Sequence, residues 1–66
     1  MNVEVLKRFD HHSGNERVLF SRFGGYYVAS NNGSEIVIFK SNSKGEIVNY
    51  AGIYDSWTYD VINFLF

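Results

Sequence analysis

The segments that read as strands are apolar on both of their faces, in a chain with little to spare for covering two. In a strand, alternate side chains point to opposite sides of the sheet. Glu35-Ile36-Val37-Ile38-Phe39-Lys40 therefore puts Ile36 and Ile38 on one side and Val37 and Phe39 on the other. Arg17-Val18-Leu19-Phe20 and Tyr26-Tyr27-Val28-Ala29 behave alike. A sheet with one wetted face alternates apolar and polar residues, and these segments do not. The expectation is that the rest of the chain covers one face and a second copy or a partner meets the other.

Turn residues divide the chain into six segments. Val3 to Phe9 reads as a first strand, followed by the polar loop Asp10-His11-His12-Ser13-Gly14-Asn15. Arg17 to Phe23 is a second strand. Gly24-Gly25 then reads as a tight hairpin, with a bulge in one long strand as the alternative. Tyr26 to Ser30 is a third strand. Asn31-Asn32-Gly33-Ser34 follows, and Asn-Gly between apolar runs predicts a type I′ turn with both central residues at positive φ. Glu35 to Lys40 is a fourth strand, and Ser41-Asn42-Ser43-Lys44-Gly45 is a hairpin loop ending in glycine. Glu46 to about Ile53 is a fifth strand, in which Gly52 marks a bulge or a close approach.

The last segment, Ser56 to Phe66, changes period. Trp57, Val61, Phe64 and Leu65 recur at i, i+4, i+7 and i+8, which predicts a short helix. Asp55 or Ser56 is placed to cap it, with Asp60 near the positive end of its dipole. The β-branched and aromatic content favours a strand instead, which would make the fold an all-β small barrel. The helix reading gives an α+β fold, since short connections make neighbouring strands antiparallel. It is a single domain, residues 1–66, with a meander sheet of four to five strands and one C-terminal helix on a face. A ten-residue helix is about 15 Å long, against about 19 Å or more across five strands, so it covers only part of one side.

The chain has 66 residues and no Cys, which excludes disulfides and thiolate metal sites. Aromatic residues make up 18% and must supply much of the burial. The net charge of -1 is not the footprint of a chain held to nucleic acid by bulk charge. No apolar run approaches the roughly 20 residues of a membrane span, and no signal peptide is visible. The expected setting is cytoplasmic, without a membrane.

Four constellations bear on chemistry. Asp10, His11, His12 and Glu16 include competent metal ligands, but adjacent residues seldom aim at one ion, and the run reads as an exposed turn. No metal and no other cofactor is expected. Ser and His residues are scattered through loops without a nucleophile-base signature, so the chain is not expected to be an enzyme. Arg22, Tyr26 and Tyr27, with Phe20 and Phe23, resemble a stacking platform for single-stranded nucleic acid, and core packing is the simpler account. Tyr50, Tyr54, Asp55, Tyr59 and Asp60 gather around the strand-to-helix turn beside Trp57. Tyrosines anchor protein interfaces and acidic neighbours set partner choice.

The leading expectation is therefore a small protein-binding module that acts by occupying a partner's surface, and that self-associates as a two-fold homodimer. The alternative is a single-strand nucleic-acid-binding sheet domain. A short chain rich in Asn, Ser, Tyr and Phe and free of Cys and Pro is typical of small phage and mobile-element proteins. By analogy, that composition suggests an inhibitor of a host or defence protein.

Overall fold

The computed structural model of the chain describes residues 2–66. Five strands run β1 (Val3–Asp10), β2 (Glu16–Arg22), β3 (Gly25–Asn31), β4 (Ile36–Ser41) and β5 (Ile47–Ile53), and one helix, α1 (Ser56–Leu65), closes the chain. The strands form a single antiparallel sheet in the order β1-β2-β3-β4-β5. This is the meander with a C-terminal helix that the turn residues and the change of period predicted.

The helix packs on one face. Val18, Phe20, Ala29 and Ile38 from the sheet meet Val61 and Leu65 from α1, with Val3, Tyr27, Ile36, Ile53, Trp57 and Ile62 around them. The buried residues of α1 are Thr58, Val61 and Leu65. Phe64, expected in this stripe, points away and is 56% exposed. Thr58 takes an inward place because its hydroxyl donates to Asp55 O at 2.6 Å, so no polar atom is buried unpaired. Asp55 is the N-cap residue, but its side chain makes no capping bond; its carbonyl also accepts from Thr58 N–H. At the other end, Arg8 Nη1 donates to Leu65 O at 3.0 Å, a cation against the negative end of the helix.

The opposite face, called open below, has no second layer, yet Leu19, Val28 and Val37 at its centre are buried. The sheet itself covers them. Irregularities in both edge strands, at Leu6 in β1 and at Val48 and again between Asn49 and Ile53 in β5, break the ladder and increase its twist. Lys7 and Phe9 of β1 consequently line the same groove as Ile47 and Tyr50 of β5. The β4–β5 loop folds over the middle, where a Cβ on Gly45 would lie 3.6 Å from both Leu19 and Phe9. The apolarity on both faces is thus largely met within one chain.

Two turns also differ from the sequence reading. Arg22 pairs with Gly25, so the β2–β3 tip is Phe23-Gly24, with φ of 48° and 78°. Gly25 sits in the ladder, where a Cβ would come within 3.1 Å of the Tyr27 ring. In the β3–β4 connection Asn32 N–H donates to Glu35 O, and Gly33 but not Asn32 has positive φ. Asn31 Oδ1 accepts from Gly33 N–H, and Asn32 Oδ1 accepts from Ser34 and Glu35 N–H. The asparagines stabilise this turn through their side chains, not through the backbone freedom of a two-residue type I′ tip.

Candidate functional site

The most built feature of the surface is the groove across the open face between β1 and β5. Its volume is about 450 Å³, and Lys7, Phe9, His11, Arg17, Lys44, Gly45, Glu46, Ile47 and Tyr50 line it. A neighbouring concavity continues it through Val37, Phe39 and Tyr50 toward Asn32. Lys7 Nζ lies 5.2 Å from the Phe9 ring centroid. Tyr50 faces Phe39 with centroids 6.1 Å apart, and its ring stands out into solvent.

Charge is divided between the two sides of the sheet. The chain has six Lys and Arg residues. Three are engaged on the helix side: Arg8 on Leu65 O, the Arg22 guanidinium 4.2 Å over Trp57, and Lys40 Nζ 4.6 Å over Tyr27. The other three, Lys7, Arg17 and Lys44, converge on the groove. Its one carboxylate, Glu46, accepts from Asn42 Nδ2 at 2.9 Å. Arg17 Nε is buried without an acceptor, the one such side-chain polar atom among the described residues. His11 stands at the groove's margin. Partial desolvation of its ring, then the charges of Arg17 and His12, hold its pKa below the usual histidine value.

The residues singled out around the strand-to-helix turn are all exposed but do not form one surface. Tyr50 and Tyr54 lie on the open side of β5. A Cβ on Gly52, between them, would meet Val37 Cγ1 at 2.7 Å and the Tyr54 ring at 2.8 Å, so the Tyr54 ring rests on Gly52 on the Val37 side. Tyr59 borders the β3–β4 turn with Ile62. Asp60 lies on another flank of the helix with Arg22, Phe23 and Trp57. Asp55 sits between strand and helix.

The proposed stacking platform is divided as well. Tyr27 lies on the helix side, 5.6 Å from Phe20 and edge-on to Trp57 at 5.1 Å, with Arg22 packed on the same indole. Tyr26, its neighbour in the strand, points to the other face. Asp10, His11, His12 and Glu16 do not assemble: no group of three or more potential ligands gathers among the described residues. The histidine rings instead lie against each other at 3.8 Å.

Lys7, Phe9, Arg17 and Lys44 were not picked out from the sequence. They lie on three different elements, and only the curl that follows the irregularities of the two edge strands brings them together. The available signal was modest: Lys7 and Phe9 share one face of a strand, and Arg17 opens the next.

No helix among the described residues is long and apolar enough to cross a membrane. The chain matches no protein-family model, no curated protein and no solved structure.

Proposed function

We propose that this chain is a non-catalytic protein-binding module that acts by stoichiometric occupation of a partner's surface, through the β5 side of its open face. The observation that supports this is the pair Tyr50, in β5, and Tyr54, the residue that follows it, 74% and 60% exposed on the open side. Two large rings exposed beside a concave surface are what an interface anchor requires, because tyrosine supplies contact area at low cost in side-chain entropy. Asp55 adjoins them. Tyr59 and Asp60 fall outside this surface. Single-strand binding through Arg22, Tyr26 and Tyr27 would need these side chains on one face, and they stand on two. Within the protein-binding class, composition favours an inhibitor of a host or defence protein.

The test compares the parent with a Tyr50→Ala/Tyr54→Ala variant shown by circular dichroism to be folded. A protein retained by the parent, lost by the variant and reconstituted one to one from purified components supports the reading. Equal retention by both, or capture of nucleic acid alone, overturns it. A second copy of the chain is the remaining occupant of this rim. It would show as a tyrosine-dependent dimer in sedimentation and would turn the proposal into one of self-association.

A further inference from the structure

We infer that the groove between β1 and β5 seats an acidic polypeptide segment of the partner. The inference rests on the protein-binding reading and gives it a chemical class.

Three observations carry it. The first is the partition of charge. The groove holds Lys7, Arg17 and Lys44 against Glu46, a net of two positive charges, so the remaining formal charge of the chain is three negative. A molecule polarised in this way turns its open face toward an acidic surface during encounter. The second is what occupies the cations. Arg8, Arg22 and Lys40 are engaged with a carbonyl or a ring on the helix side, while in the groove only Lys7 lies over a ring, that of Phe9. Arg17 is held with a buried, unpartnered Nε, so its guanidinium is placed by packing and not by a carboxylate of the chain. Such a placed planar fork suits a carboxylate. The third is continuity, since Tyr50 lines the cationic groove and its neighbouring concavity alike. A partner anchored on Tyr50 and Tyr54 would lay its adjoining residues over Arg17.

Nucleic acid fits the same charges less well. Three cations neutralise about three phosphates, well short of the roughly six to ten contacts that give strong salt-dependent binding. A strand leaving the groove would also meet the net negative remainder of the surface. A folded partner avoids both difficulties, because its acidic segment needs only a few charges and the tyrosines supply a second anchor.

The test uses the full chain with two fluorescently labelled probes of equal length, a poly-glutamate peptide and an oligo-thymidine strand. Anisotropy is read as salt is raised. The variants are Lys7→Gln/Arg17→Gln/Lys44→Gln and, as a control for lost charge, Lys40→Gln, each first shown to be folded. The expected result is poly-glutamate binding that weakens with salt, falls about tenfold in the triple variant and is unchanged in Lys40→Gln. No binding of poly-glutamate, equal binding by the triple variant, or tighter binding of oligo-thymidine would each overturn the inference. The tyrosine-dependent capture described above is read separately. If it persists while poly-glutamate fails to bind, the acidic segment is wrong and the protein-binding reading stands.

Discussion

His11 Nδ1 and Asn42 Oδ1 hold the same place in two loops of the same design. Each accepts from the backbone N–H two residues on, Ser13 at 3.2 Å and Lys44 at 2.9 Å. In both loops the N–H of this residue donates to the carbonyl four residues on, Asn15 or Glu46. In both, a glycine at positive φ, Gly14 or Gly45, donates back to its carbonyl. Asn42 is the ordinary residue for this role. His11 performs it only while Nδ1 is unprotonated, and Ser13 Oγ, 2.7 Å away, adds its own hydrogen bond.

That equivalence gives a pH prediction. Desolvation of the ring and the charges of Arg17 and His12 lower the His11 pKa in the folded state, so below about pH 6.5 the unfolded chain takes up a proton that the folded loop resists. The unfolded state then binds more protons, and stability rises with pH through this window. The contribution of His11 should be complete above about pH 6.5, fall as the pH drops toward the lowered folded pKa, and level off below it. His11→Asn supplies an oxygen acceptor at the same position. It should keep the hairpin and flatten this part of the pH profile, as measured by urea midpoints at stepped pH. An unchanged slope in the variant would show that His11 does not set this part of the profile.

Two glycine substitutions should destabilise for different reasons. Gly33 has φ of 90° and open space where a Cβ would stand, so Gly33→Val should cost about 1–3 kcal/mol from backbone strain alone. Gly52 has no such φ but is pressed between Val37 and Tyr54. Gly52→Ala should cost about 1–3 kcal/mol through overpacking, and Tyr54→Ala should recover part of that loss. Denaturation of the single and double variants measures the coupling. Strictly additive costs would mean that Val37, not Tyr54, sets the constraint.

The strands and the helix were legible because their signals are local: turn residues at regular intervals, then a change of period after Asp55. The groove was not, because it depends on where the ladder breaks. Leu6 and Val48 carry no mark of a bulge, yet each resets the alternation of its strand, and only the irregularity between Asn49 and Ile53 was signalled, by Gly52. At the centre of the open face part of the two-faced apolarity is met within the chain, where Gly45 lies over Leu19. On the helix, the apolar spacing left Thr58 out of the face that packs. Once the Asp55 carbonyl satisfies its hydroxyl, Thr58 goes inward and Phe64 turns out.

Helix orientation therefore predicts a ranking. Phe20 is fully buried, and Phe20→Ala should cost about 3–5 kcal/mol, enough to threaten folding of so small a domain. Trp57 is half-buried between Tyr27 and Arg22, so Trp57→Ala should cost less than that range. Phe64→Ser should stay within about 0.5 kcal/mol of the parent. Thermal unfolding of the three variants gives the order directly, and a Phe64→Ser midpoint as low as that of Trp57→Ala would contradict the observed face.

Phe23 is the one non-glycine residue at positive φ among the described residues, at 48°, and its ring is 72% exposed at the tip of the β2–β3 hairpin. A left-handed conformation costs an ordinary side chain about 1–2 kcal/mol, and asparagine tolerates it far better. The Arg22 guanidinium, 4.9 Å from the Phe23 ring centroid, offsets little of this, since an exposed cation–π contact is worth about 0.5–1 kcal/mol. Phe23→Asn would also create Asn-Gly, the dipeptide most suited to a two-residue tip with both φ values positive. The variant should therefore be more stable than the parent by up to about 1 kcal/mol, which in a domain of this size raises the midpoint by about 4–8 °C per kcal/mol. Calorimetry of parent and variant tests this. A lower midpoint in Phe23→Asn would mean that the ring contributes more through Arg22 and its neighbours in the Trp57–Asp60 hollow than the backbone loses at the turn.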